Sequence, residues 1–382
     1  EAQFLSGWLE ANRGAFRAAV APLERLLTRY PKSKFADDAL WYLGYAHFLL
    51  GEHAAALPYL DRLARLGGAL EGGKARYWRA RTLATLGRHD EAVRELTKLV
   101  GDYPFSWYSQ LARARLREGG VVVGPFGDRP RNPATTPRLG PVDPAIAAEE
   151  PIARADELIA AGMGSEAAWE LRRAEKALIS RRGPTRALPV LLDRYRKAGD
   201  FNRAWLLAEV HGARALDVEL DAASRPWWEH AFPLAYRELV EKHEGLGNNP
   251  PYYLYAIMRK ESGFNPHDVS YANAIGLLQM IPPTTRRVAA KLGLEYTDDL
   301  LFDPELNVKG GSWYIGNLVA KFKRQIPIAA GSFNCGPGPV MRWLDERGDR
   351  PIDEFVERVA YTQTREYMKK VVEGYARYLY LY

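Results

Sequence analysis

Three glycines recur at a nearly constant interval. Gly14, Gly51 and Gly87 lie 37 and 36 residues apart, and each is followed five residues later by an alanine: Ala19, Ala56 and Ala92. Aromatic side chains stand nine residues before two of them, Tyr42 and Trp78. Tyr30-Pro31 follows Gly14 by the offset at which Tyr103-Pro104 follows Gly87, and Gly67-Gly68 takes that place in the middle repeat. A glycine between two apolar-periodic stretches, with a small residue where the second helix crosses the first, describes a helical hairpin. One hairpin cannot bury its own apolar face, so neighbours must stack into a curved solenoid.

The period is close to that of tetratricopeptide-type repeats. Weaker echoes occur at Gly164 and at Gly199, the latter followed by Ala204. Between the two sets, residues 119–151 are crowded with proline and glycine, which predicts a linker or an extended arm across the helices. After residue 231 helical periodicity continues, but the connections become rich in Gly, Asn and Pro. The expected fold is all-α. Helical repeats cover 1–118, a linker 119–151, a helical superhelical region 152–225, and a compact, mostly helical domain 226–382. The segments after about residue 225 form a complete apolar-periodic set, so that domain is expected to fold by itself.

A chain of 382 residues has room for two or three domains with real cores. No apolar run approaches the eighteen or so residues of a membrane span. Glu1 is not a methionine and no apolar leader core follows it, so a secretory leader is expected to have been removed already. Cys335 is the single cysteine, which excludes an intramolecular disulfide. The net charge of +6 favours a polyanionic partner. The basic residues are scattered among acidic ones rather than gathered into a stripe, which argues against nucleic acid.

One short stretch carries chemistry. In "PPYYLYAIMRKES", Tyr253, Leu254, Ile257 and Met258 form the apolar stripe of a buried helix face, and Glu261 falls on the same stripe one turn beyond Ile257. Gly263 and Asn265-Pro266 then stop the helix. A glutamate there is oddly placed, because helix C-termini repel anions. It either turns to solvent or pairs with Arg259 or Lys260, or it serves as a general acid. The second role requires a proton held at neutral pH, and lifting a glutamate from about 4.3 to roughly 6.5 takes about 3 kcal/mol. The helix end supplies about 0.3–1 kcal/mol, so desolvation must supply most of it. The uncharged residues that follow, Ser270, Asn273 and Gln279, suit the orientation of a neutral sugar.

The successive segments "ESGFNPHDVS", "AIGLLQMIPPT", "LFDPELNVKGGSWYI", "FNCGPGPVMRWL" and "VAYTQTREYMKKVV" resemble the ordered motifs of the soluble lytic transglycosylases. The catalytic domain of that family is a helical relative of goose-type lysozyme. A weaker resemblance to the superhelical and linker regions of its longer members extends upstream. The resemblance implies a periplasmic enzyme that cleaves the MurNAc–GlcNAc β-1,4 bond of peptidoglycan with one glutamate and no water, leaving 1,6-anhydromuramic acid. It implies neither cofactor nor metal, with peptidoglycan glycan strands as substrate and cell-wall proteins as partners of the repeats. Glu261 matches the acid/base. Ser262, Ser270, Tyr271, Gln279, Phe333, Asn334, Tyr361 and Gln363 match substrate-side positions. Phe333 stands where a tyrosine is usual, Gln363 where many members carry glutamate, and Tyr271 and Asn273 where proline and glycine are commoner.

Other features carry less. Cys335 has no histidine in a local motif, and packing explains it best. Gly336-Pro337-Gly338-Pro339 lacks the Lys-Ser/Thr of a phosphate loop. His267 has no partner at metal spacing, and "LFDPELN" lacks an acidic loop for calcium. The tyrosines of "YARYLYLY" read as packing. Three alternatives to the transglycosylase stay open. One is a hydrolase, which needs a second carboxylate such as Asp268; the others are an impaired glycan-binding protein and a scaffold built on the repeats.

Overall fold

The computed structural model describes residues 1–66, 71–128, 138–348 and 350–382. Gly67-Gly68 of the middle repeat and residues 129–137 of the Pro/Gly-rich stretch lie outside the described residues. Packing gathers the chain into two compact units, Glu1–Pro130 with Leu344–Lys369, and Arg131–Trp343 with Lys370–Tyr382.

The first unit opens with α1 (Ala2–Asn12), α2 (Phe16–Arg29), α3 (Ala36–Leu49), α4 (His53–Arg65), α5 (Lys74–Thr85), α6 (His89–Asp102) and α7 (Trp107–Glu118). Each packs on the next in the chain. Gly14, Gly51 and Gly87 turn the three hairpins with φ of +83°, +77° and +77°, where any side chain would be strained. The alanines five residues on are buried on the second helix of each pair. Close crossing also needs Gly7 and Gly44: a Cβ there would come within 2.4 Å of Leu23 and 2.7 Å of Leu60. Trp78 is fully buried, with Trp41, Tyr45 and Phe48 around it at ring-centroid distances of 6.1, 4.8 and 5.1 Å.

The second unit begins with α8 (Pro144–Ala147), α9 (Glu150–Ala160), α10 (Gly164–Arg182), α11 (Pro184–Lys197), α12 (Phe201–Leu216) and α13 (Arg225–Ala231). The echo at Gly199 has the geometry of the first three glycines, with φ +77° and Ala204 buried. At Gly164 the register differs by two residues. The left-handed glycine is Gly162 (φ +76°), and its alanine is the buried Ala167. Gly164 starts α10 instead, where a Cβ would meet the Ala198 carbonyl oxygen at 2.5 Å.

The rest of this unit comprises α14 (Arg237–His243), a 3-10 turn at Glu244–Gly247, α15 (Tyr253–Glu261), α16 (Pro282–Leu292), α17 (Pro304–Lys321), α18 (Ile326–Cys335) and the start of α19 (Pro337–Arg347). α17 is the hub, packed on α14, α16 and α18. Its glycines admit close neighbours: a Cβ on Gly311 would lie 2.4 Å from Leu278 Cδ1, and one on Gly316 would overlap the backbone of Gly247. Isolated β-bridges join Val269 to Ile275 and Ile275 to Met280.

α20 (Ile352–Glu357) and the first residues of α21 (Thr362–Leu381) belong to the first unit. Two buried carboxylates fix α20 there. Asp353 Oδ2 accepts from Tyr77 Oη at 2.6 Å, Arg115 Nη2 at 2.9 Å and Arg81. Glu357 pairs with Lys74 at 2.9 Å and Lys369 at 3.0 Å, and accepts from Tyr108 Oη at 2.5 Å. Burial alone would raise Glu357, but the two ammoniums and the phenol hold it well below the usual carboxylate range. A fragment starting near residue 225 would keep Lys369 beside Glu357 but would strip both carboxylates of their partners on α5 and α7, which runs against independent folding of that fragment.

Candidate active site

α15 is short and buried along one side: Tyr253, Leu254, Ile257 and Met258 are all buried. Glu261 closes the helix and is half-buried, less enclosed than the stripe residues before it. Arg259 is engaged elsewhere: it bonds to Glu209 and to the Ala231 carbonyl (3.2 Å), with its guanidinium 4.4 Å from the Phe232 ring centroid. Tight packing goes with the end of the helix after Glu261. Gly263 adopts φ +55°, and a Cβ there would fall 2.3 Å from Trp205. Phe264, also left-handed at φ +70°, is buried against the same tryptophan.

The loop that follows is held by its own polar side chains. Ser262 Oγ donates to the Leu277 carbonyl at 2.8 Å, tying the end of α15 to the far side of the loop. Ser270 Oγ accepts from the amides of Ala272 (3.2 Å) and Ala274 (3.0 Å). Gln279 is buried, and its Nε2 donates to the carbonyls of Asp268 and Gly276 at 2.9 and 3.0 Å. Asn273 and Gln279 take left-handed backbone at φ +57° and +46°. Ser262, Ser270 and Gln279 thus fix the loop that follows Glu261, each with polar atoms bonded to backbone.

Asn307, on the buried face of α17, escaped the sequence reading. Its Oδ1 accepts from the Leu278 amide at 2.8 Å, and its Nδ2 donates to the carbonyls of Ile275 and Leu301 at 2.9 Å each. Gly276 (φ +79°) is required beside it, because a Cβ there would lie 2.4 Å from Asn307 Nδ2. The available signal was an asparagine in the first turn of a helix, on its buried face, in "LFDPELN". Asp303 of the same segment caps α17, accepting from the Leu306 amide at 2.8 Å.

Phe333 and Asn334 are half-buried on α18. The Phe333 ring lies 6.0 Å from that of Tyr314 on α17, a second residue the sequence reading passed over. Burial raises the Tyr314 phenol above its ordinary value. Tyr271 is 93% exposed. Tyr361 and Gln363 are exposed and belong to the first unit, just before and within the start of α21. Cys335 is half-buried, and His267 is exposed with its ring 6.4 Å from Phe302.

The model of the transglycosylase SLT domain matches residues 238–356, and a tetratricopeptide-repeat model matches 1–33, 38–66 and 74–106. The chain is 30% identical over 362 residues to the soluble lytic murein transglycosylase of Escherichia coli, covering 91% of this chain and 51% of that one. It is 33% identical over 170 residues to membrane-bound lytic murein transglycosylase C of Actinobacillus pleuropneumoniae, covering 38% and 46%. The chain thus spans about half the length of the curated relatives it matches. An inactive mutant of the lytic transglycosylase Slt from Pseudomonas aeruginosa shares the fold with a TM-score of 0.63 at 21% identity, over 94% of this chain and 54% of that one. The 70-kDa soluble lytic transglycosylase of Escherichia coli does so with 0.62 at 22%, over 97% and 61%. With its helical repeats and its matched SLT domain, the chain is similar along most of its length to the soluble lytic transglycosylases.

Proposed function

We propose that this chain is a peptidoglycan lytic transglycosylase that cleaves the MurNAc–GlcNAc β-1,4 bond with Glu261 as its single acid/base. The observation that carries this is the half-buried position of Glu261 at the end of α15, inside a matched SLT domain and beside a loop fixed by Ser262, Ser270 and Gln279. Glu261 gives its proton to the glycosidic oxygen as the C1–O bond breaks. The substrate's 2-acetamido group stabilises the positive charge at C1, in place of a second carboxylate. Glu261, now ionised, takes the proton from the muramic C6 hydroxyl while that oxygen closes onto C1. The product is a 1,6-anhydro ring, and no water is consumed.

Ser270, Tyr271, Gln279, Phe333, Asn334, Tyr361 and Gln363 are the residues proposed to contact the glycan. The proposed compartment is the periplasm, where the substrate lies; among the described residues no helix is long and apolar enough to cross a membrane. Glu261→Gln tests the assignment, because the amide keeps the shape and carries no transferable proton. The variant should lose lysis of purified sacculi at an unchanged melting temperature. Lysis within about tenfold of the unsubstituted protein, a barrier difference under roughly 1.4 kcal/mol, would refute the assignment.

A further inference from the structure

The first unit holds a half-enclosed cavity of about 280 Å³ that the proposed reaction does not use. Five cationic side chains line it, Arg13, Lys74, Arg347, Arg358 and Arg365, against two carboxylates, Glu346 and Glu357. Glu357 is already matched by Lys74 and Lys369, so the lining keeps a surplus of positive charge. Trp41, Tyr42 and Tyr45 add an aromatic wall.

In this lining Nη1 of Arg358 and Nε of Arg365 are buried without a hydrogen-bond acceptor. Arg365 spends its other nitrogens on the Val359 carbonyl (3.3 Å) and Thr362 Oγ1 (3.5 Å), and its Nε stands 3.7 Å from Glu366, beyond hydrogen-bond reach. Arg358 lies over the Phe16 ring at 5.4 Å. Its space is left open by Gly14, where a Cβ would sit 3.6 Å from Arg358 Nη2. Burial and neighbouring Arg350 lower the pKa of Arg358, so its charge is held at a cost that an anion would relieve. Buried charged donors are normally paired, and guanidinium matches planar or tetrahedral oxyanions.

We propose that this cavity binds a small oxyanion, a carboxylate or a phosphate group, on Arg358 and Arg365, with the attached body against Tyr42 and Tyr45. The volume lies at the lower end of the range for small-molecule pockets, which suits one acidic group with a small body and excludes a glycan strand. The site stands apart from the proposed lytic reaction and does not depend on it.

Calorimetric titration of the full chain with inorganic phosphate, and separately with the dipeptide alanylglutamate, tests the proposal without any enzymatic readout. One probe should saturate with a Kd at or below about 1 mM and raise the melting temperature. The probe that binds identifies phosphate or carboxylate as the source. Arg358→Gln should weaken that binding by about ten- to a hundredfold. Should that variant fail to fold, Arg365→Lys decides instead, since it keeps the charge and removes the buried Nε. Failure of both probes to saturate at about 10 mM would mean that the cavity holds only water. Undiminished affinity in a folded variant would equally overturn the site.

Discussion

Replacing Asp353 by asparagine should destabilise the first unit by about 3–5 kcal/mol, the usual cost of removing one partner from a buried ion pair. Asp353 is 1% exposed. Its Oδ2 takes three donors, Tyr77, Arg81 and Arg115, while Oδ1 accepts from the Glu354 amide at 2.9 Å. An asparagine turns its NH2 group either toward the three donors or toward that amide, and in both orientations the two guanidiniums lose their counter-charge. Glu354 stands 3.4 Å from Arg81 and offsets part of the loss, so the lower end of the range is expected. Urea unfolding followed by tryptophan fluorescence reads the change through Trp41 and Trp78 in the repeat core. With about 1–3 kcal/mol per molar for urea, the midpoint should fall by roughly 1–3 M. The pH dependence has a definite sign. Burial alone would raise the Asp353 carboxyl, but Arg81, Tyr77 and Arg115 reverse it and hold the group below its ordinary value of 3.8. A lowered folded pKa gives stability that is fully present above the unfolded value and lost as pH falls through the folded one. The gap between the two proteins should therefore stay constant from pH 7 to about 5 and close below about 4. A midpoint shift of less than about 0.5 M, or a gap indifferent to acid, would show that this cluster does not hold the segment.

Asn307→Ala should lower both stability and turnover, because it leaves the Leu278 amide and the Ile275 and Leu301 carbonyls buried without their partner, each worth about 1–3 kcal/mol. Muropeptide release at the unsubstituted rate would show that the loop keeps its shape without this side chain. Phe333→Tyr should raise the rate of sacculus lysis by about ten- to a hundredfold, since a hydroxyl bonded to a charged group contributes about 1.5–3 kcal/mol. An unchanged rate would show that the hydroxyl is dispensable or already supplied. A drop in Tyr314→Phe, whose ring packs on Phe333, would point to the second.

What the sequence revealed was local and periodic. Gly14, Gly51 and Gly87 could be placed as hairpin turns because each needs left-handed backbone, and the same constraint recurs at Gly199. Gly164 misled by two residues, since close packing on Ala198 selects glycine as strongly as a turn does. Glu261 was visible because a charge on an apolar stripe breaks the pattern. Asn307 was not singled out, although it too sits on a buried helix face: an amide in the first turn of a helix gives no hint that its partners are backbone groups in another loop. Least legible was the grouping of residues 344–369 with the repeats. Asp353 and Glu357 find Tyr77, Arg81, Arg115, Lys74 and Tyr108 more than two hundred residues away in the chain, and pairing of that kind leaves no period. The compact units accordingly cut across the order of segments that composition implies.

Mass spectrometry of the muropeptides released from purified sacculi tests the proposed chemistry most directly. Attack by the muramic C6 hydroxyl, with Glu261 alone moving protons, predicts fragments ending in a 1,6-anhydro ring, about 18 Da lighter than their hydrolytic counterparts. Fragments ending predominantly in free reducing sugars would mean that water attacks C1, and would contradict it.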